Sequence, residues 1–251
     1  MLVTMFSAKG SPGVTSSALV LAAVWPRPVA LLEADPTGSD LVYRCRSSAG
    51  GPVAPSPNLL GLAAAVRGDR SVSISQSAQQ LANGVELIAG VTTPAQSHGI
   101  AGLWRAMASA AEEADVDVIA DVGRFRRDDV TSPLVTRADL VFPVVAGSLE
   151  SLMHTRELLN HIAADVRGRI APVLVGRART AKADCEDLDQ VIAMSGVLAM
   201  PAAHLPLDRP GLSALEEGVS PTGRGRMSHV VRGARSAAAH LLAEVVAEDG
   251  Q

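Results

Sequence analysis

Short, unbroken apolar runs alternate along this chain with longer stretches in which apolar residues recur every three or four positions. The first pattern marks strands buried on both faces, the second helices with one buried side. Met1 to Phe6 is such a run, and Thr15 to Val24 follows it with helical spacing. Pro28 to Glu33 is the next expected strand, ending in Ala34-Asp35-Pro36-Thr37-Gly38, and Arg46 to Pro57, rich in Ser, Gly and Pro, reads as a loop. Beyond it the pattern predicts a weak helix over Leu59 to Val66 and a strand over Val85 to Ala89. The polar stretch Ser71 to Leu81 between them fits no period. Gly99 to Ala114 carries helical spacing through Ile100, Leu103, Trp104, Met107 and Ala111.

The second half continues in the same way. Strands are expected at Val116 to Asp121, Leu140 to Val145, Ile170 to Val175 and Val197 to Met200. Helices are expected at Leu149 to Ile162, Cys185 to Met194 and Met227 to Ala247. Strand and helix alternating at these spacings suit right-handed parallel crossovers. No linker, repeat or low-complexity tract divides the chain. The expected architecture is therefore α/β: a doubly wound, mostly parallel sheet flanked by helices, with residues 1–251 forming one domain.

Composition narrows the function classes. Hydrophobic residues at 47% against 19% charged describe a globular chain with a real core, which Ala, Val and Leu must fill because aromatics are only 2%. A formal net charge of −4 argues against a strongly basic nucleic-acid binder. Cys45 and Cys185 lie far apart without metal-ligand spacing, and the histidines at 98, 154, 161, 204, 229 and 240 form no ligand pattern. No signal-peptide pattern precedes the first strand and no apolar run approaches the ~20 residues of a membrane span, so a cytoplasmic protein is expected.

The candidate chemistry lies between the first strand and the first helix, in Phe6-Ser7-Ala8-Lys9-Gly10-Ser11-Pro12-Gly13-Val14-Thr15-Ser16-Ser17. A strand, a glycine-rich loop and a helix is the layout in which backbone N–H groups cradle phosphate. Set against G-x-x-x-x-G-K-[ST], Ala8 takes the first glycine position, Gly13 the second, Thr15 the metal-binding hydroxyl, and Val14 stands where the lysine belongs. Gly10 and Gly13 permit close backbone approach, while Pro12 removes one donor. Asp35 and Asp121 each close an expected strand, at the end where such sheets bind ligands. Asp121 is placed to accept from metal-bound water or the Thr15 hydroxyl, and Gly123 to offer an N–H to a terminal phosphate. Arg124, Arg126 and Arg127 follow as either a solvated loop or a partner-facing segment.

Lys9-Gly10-Ser11-Pro12-Gly13-Val14-Thr15 resembles the deviant Walker A motif of the MinD/ParA family, K-G-G-x-G-K-[ST]. It matches at Lys9, Gly10, Gly13 and Thr15 and departs at Ser11 and Val14. The stretch ending in Asp35 resembles the family's D-x-D-P-Q, with Glu33 at the first aspartate and Thr37 at the glutamine. The resemblance spans nearly the whole chain and is nearest to the CpaE/TadZ-like branch, in which the second lysine is often missing. It implies ATP and Mg²⁺ as cofactors and a nucleotide-dependent homodimer in which Lys9 reaches the partner's phosphates. Nucleotide contacts are implied at Gly10, Ser11, Gly13, Val14, Thr15, Ser16, Gly123 and Pro206, metal contacts at Thr15, Asp35 and Asp121, and catalytic parts for Lys9 and Asp35. Leu205-Pro206-Leu207-Asp208 resembles the segment near the adenine, although Gly176 stands where a base-contacting asparagine is usual.

The implied function is a switch that positions partner machinery, pilus or secretion assembly before partition, with hydrolysis slow or absent. A scaffold that keeps the fold without nucleotide chemistry is the alternative. DNA is not an expected partner, because Arg124, Arg126 and Arg127 are followed at once by Asp128 and Asp129. Nor is a membrane anchor expected: Val231, Ala234, Ala238, Leu241 and Val245 define one apolar face of the last helix, but its end is acidic, with Glu244, Glu248 and Asp249.

Overall fold

The computed structural model describes residues 1–9, 12–68 and 72–249. Gly10, Ser11 and Ser71 lie outside the described residues. The elements in chain order are β1 (Leu2–Ser7), α1 (Val14–Val24), β2 (Val29–Glu33), α2 (Leu41–Arg44), α3 (Leu59–Arg67), β3 (Gln79–Gln80), β4 (Glu86–Ile88), α4 (Pro94–Gly99) and α5 (Trp104–Glu112). They continue with β5 (Asp117–Arg124), α6 (Ser132–Arg137), β6 (Leu140–Ala146), α7 (Leu149–Ile162), β7 (Arg169–Ile170), β8 (Val173–Gly176), α8 (Ala181–Ala193), β9 (Ala203–Pro206), α9 (Arg209–Glu216) and α10 (His229–Asp249).

The strands form one sheet in the order β3-β4-β2-β5-β1-β6-β8-β9, with β7 also paired to β6. Every pairing is parallel except the short antiparallel one between β3 and β4. Alternation along β1 builds both cores. Leu2 and Phe6 join one apolar cluster with residues of α3, α5, α6, α7 and α8, while Val3 and Met5 join a second with residues of α1, α9 and α10. Helices thus cover both faces of the sheet, as its near-continuous apolar strands require. α1 is buried on most sides because α10 packs over it, through Val231, Ala234, Ala238 and Leu241. Those four were expected on one face. The side chain of Val245 lies outside the described residues.

Several boundaries differ from expectation for local reasons. The helix expected from Gly99 to Ala114 is broken: α4 ends at Gly99, a 3₁₀ turn follows at Ala101–Leu103, and α5 begins at Trp104. Thr93 caps α4, its side chain accepting from the Gln96 N–H, and Pro94 fits the first helical position. The strand expected over Ile170 to Val175 is split into β7 and β8, since Pro172 between them has no N–H for a ladder. The strand expected over Val197 to Met200 is absent. Leu198 is 94% exposed there, Ala199 makes one isolated bridge to Ile170, and the edge strand is β9 instead.

Candidate functional site

β1, β2 and β5 lie side by side, so their C-terminal ends meet at the N-terminus of α1. Gly13 precedes α1 with φ 89°, a left-handed conformation that favours glycine. It turns the chain so that the first helical N–H groups, which have no intrahelical partner, point at the sheet edge. Thr15 stands in that first turn, with its side chain near enough to the Asp121 carboxyl on β5 to draw it downward.

Asp121 is 1% exposed. Its Oδ1 accepts from the Gly123 N–H at 2.9 Å. Burial pushes its carboxyl up to about 7, and the charges of Glu33 and Asp35 push the same way, while the bonds from Thr15 and Gly123 oppose the rise. Asp35, just beyond β2, accepts on Oδ1 from the Thr37 N–H at 2.8 Å and from the Thr37 hydroxyl at 2.7 Å. That turn holds its carboxyl over Gly123, where φ is 69° and an added Cβ would stand 1.9 Å from Asp35 Oδ2. Gly123→Ala is expected to displace Asp35 and, through the left-handed backbone and the clash, to lower stability by about 1–3 kcal/mol. A thermal melt checks this, and an unchanged midpoint would refute it.

Glu33 is buried as well, at 2% exposure. It pairs with Asp121 in the strand register. Its oxygens accept from the N–H groups of Asp40 at 3.1 Å, Leu41 at 2.9 Å and Gly90 at 3.2 Å, and from the Ser39 hydroxyl. Burial raises its carboxyl above the usual range against the pull of those donors. Its acceptor role ties α2 to the sheet and leaves no free oxygen for a ligand.

The other candidate residues fall in different places. Val14 is 6% exposed and packs in the core under α1, so the lysine position of the loop is filled by a side chain turned inward. Lys9 is exposed, with its Nζ 3.2 Å from His154 Nε2 on α7 rather than against the carboxylates. Lys9, His154 and the three arginines 124, 126 and 127 line an open groove of about 520 Å³, where Arg127 is paired with Asp165 at 2.9 Å. Ser16 faces a second cavity, of about 260 Å³, with Gly13 on one wall and Pro206, Leu207, Arg209 and Leu212 opposite. Asp208 closes that wall by accepting from the N–H groups of Gly211 at 3.0 Å and Val230 at 3.2 Å. Gly176 lends it the carbonyl that the Leu207 N–H donates to, at 2.9 Å.

Some contributors were not visible in the sequence. Gly233 lets α10 cross Pro206, since a Cβ there would come within 2.3 Å of the proline ring. Arg44 reaches the first turn of α1, its Nη2 donating to Ser16 Oγ at 2.8 Å. Among the described residues no three His, Cys, Asp or Glu side chains converge as an all-protein metal cage. A Mg²⁺ ion needs no such cage: it keeps several waters and takes one or two carboxylates beside substrate phosphates. The Thr15 hydroxyl beside a buried Asp121 carboxyl fits that donor set. Burial pushes the Cys45 thiol up to about 12 and the Cys185 thiol up to about 11, which disfavours the thiolate at both. No helix among the described residues is long and apolar enough to cross a membrane.

No protein-family model matches the chain, and no curated protein matches it. Solved structures do. A ParA family ATPase from Chlorobium tepidum is 21% identical, with 96% of this chain covering 98% of that one at a TM-score of 0.68. The septum site-determining protein MinD from Pyrococcus horikoshii, complexed with Mg-ADP, is 16% identical over 97% of both chains at 0.69. A chain of the MinC:MinD cell division protein complex of Aquifex aeolicus is similar at 15% identity, 97% of this chain against 96% of that one, TM-score 0.67. At these identities the likeness establishes the fold: a mostly parallel sheet between helices, as in ParA and MinD ATPases.

Proposed function

We propose that this chain is a nucleotide-governed switch of the ParA/MinD kind, one cytoplasmic domain that binds Mg-ATP at the start of α1 and dimerises in response. The observation that carries the proposal is the cluster at the start of α1: a buried Asp121 whose Oδ1 takes the Gly123 N–H, with Asp35 held over Gly123 and Thr15 acting on the Asp121 carboxyl. Thr15, Asp121 and Asp35 would hold the metal, which supplies positive charge to the phosphates. The N–H groups from Val14 to Ser16 hold the phosphates, Asp35 orients a water, and the cavity at Pro206 takes the base, while the Gly123 N–H, expected at a terminal phosphate, is instead donated to Asp121. Gly10 and Ser11 would complete the loop, and the complexes named above, one with Mg-ADP and one with MinC, support a nucleotide and a protein partner.

Turnover in this proposal is very slow, since Val14 gives the phosphates no charge and Lys9 leans on α7. Lys9 acts across a homodimer, on the face that carries the groove of Arg124, Arg126 and Arg127. That groove is also the surface offered to a protein partner, and the missing loop lysine favours the CpaE/TadZ-like role in pilus or secretion assembly over ParA-like partition. A second reading has its own support: the inward burial of Val14 suits a scaffold that has abandoned nucleotide chemistry.

Calorimetry with ATP, with and without Mg²⁺, beside light scattering of the native protein and Lys9→Ala, separates the two. The switch predicts Mg²⁺-dependent binding and an ATP-dependent dimer that Lys9→Ala weakens. A monomer or fixed dimer indifferent to ATP would leave the scaffold.

A further inference from the structure

We propose that Arg44 supplies the phosphate seat at the start of α1 with the in-chain cation that Val14 withholds. The inference rests on the nucleotide reading above and adds to it a residue outside the loop motif. Arg44 ends α2, whose N-terminus is fastened to the sheet by the Glu33 carboxylate through the Asp40 and Leu41 N–H groups. From that anchored position its guanidinium crosses to α1, where Nη2 donates to Ser16 Oγ at 2.8 Å, one residue past Thr15. Nε donates to Glu216 Oε1 at the end of α9 at 2.8 Å, and Nη2 meets the same oxygen.

The charge balance around the seat calls for such a group. Three carboxyls gather there, since Glu33 pairs with Asp121 in the strand register and Asp35 lies over Gly123, the donor to Asp121. A nucleoside di- or triphosphate brings further negative charge, and one divalent ion leaves the sum negative. Arg44 is the cation hydrogen-bonded to the first turn of α1 among the described residues. Its side chain is 30% exposed, so it is reachable rather than sealed. Nη1 takes no part in its bonds to Ser16 and Glu216, which leaves donors for a phosphate oxygen in the fork geometry that guanidinium groups favour.

Glu216 then acts as a counter-ion that phosphate must displace. Because α9 begins at Arg209 on the wall of the Pro206 cavity and ends at Glu216, the phosphate seat and the base cavity share one helix. Phosphate drawing Arg44 off Glu216 would free the far end of that wall.

Titration calorimetry with Mg-ATP on the native protein, Arg44→Gln, Arg44→Lys and Glu216→Gln tests this, with a thermal melt of each. Arg44→Gln is expected to weaken binding ~10-fold or more, the usual loss for a charged hydrogen bond, and Arg44→Lys to restore part of it. Glu216→Gln, which releases Arg44, is expected to tighten binding. A mere tether between α2 and α9 predicts instead that both partners, once altered, lower stability and shift affinity in the same direction or not at all. That result overturns the proposal. If Arg44→Gln does not fold, Glu216→Gln decides by the sign of its change. A native protein that binds no Mg-ATP removes the nucleotide reading itself, and the role of Arg44 with it. Native binding with Arg44→Gln unchanged removes the role of Arg44 alone.

Discussion

Val14→Lys is expected to raise Mg²⁺-dependent ATP turnover by ~10²–10³-fold, the usual effect of one well-placed charge on a phosphoryl-transfer transition state. The same change is expected to lower the stability of the nucleotide-free protein by about 1–3 kcal/mol, for two reasons. Val14 is buried in the core beneath α1, so its replacement must withdraw from those contacts and run its stem out toward the cleft. A lysine in the first turn of a helix also opposes the helix dipole until an anion arrives there. Mg-ATP should therefore restore most of the lost stability, which a melt with and without nucleotide reads directly. A folded Val14→Lys protein with unchanged turnover would mean that the cleft is not arranged for phosphoryl transfer and would favour the scaffold.

The sheet was legible because parallel strands covered on both faces must be apolar throughout, and Met1 to Phe6 or Leu140 to Val145 have no other reading. α7 was found at its observed bounds, Leu149–Ile162, because its buried Leu152, Thr155, Leu159 and Ile162 keep strict helical spacing. Periodicity failed where it averages over breaks. Ile100 and Leu103 continue the spacing of α5, so the pattern runs through the turn that separates them from it. β9 was missed for the opposite reason: Ala203-His204-Leu205-Pro206 is too short and too mixed to signal a strand, and only its pairing with β8 makes it one.

The site divides in the same way. Gly13, Thr15, Asp35, Asp121 and Gly123 could be named because each sits at a fixed offset from the end of a strand, and topology brings those ends together. Glu33 could be aligned but not understood, since its donors on Ser39, Asp40, Leu41 and Gly90 are set by a turn and a neighbouring strand. Arg44 had no signal at all. Its partners Ser16 and Glu216 are 28 and 172 positions away, and no local spacing reports such a contact.

Asp121→Asn is expected to stabilise the metal-free protein at pH 8 by up to about 4 kcal/mol, or about 10 °C in the melting midpoint, and to leave it nearly unchanged at pH 4. The sign follows from the direction in which burial moves the carboxyl. An aspartate that titrates near 4 in the unfolded chain is held up at about 7 in the fold, so the folded state binds its proton more tightly. Its favourable contribution is complete below pH ~4 and is lost as pH rises through about 7, where the buried carboxylate ionises beside Glu33 and Asp35. Each tenfold gain in proton affinity between those two values is worth ~1.4 kcal/mol, which sets the ceiling. Asparagine keeps an oxygen for the Gly123 N–H and an amide to meet the Thr15 hydroxyl, so the variant loses charge without losing its partners. A site kept for a cation carries this penalty until the cation binds, so Mg-ATP should stabilise the native protein and not Asp121→Asn. Melts in chelator across pH 4 to 8, repeated with Mg-ATP, read both halves. Equal midpoints for native and variant at pH 8 would show that Asp121 is not strained by its burial.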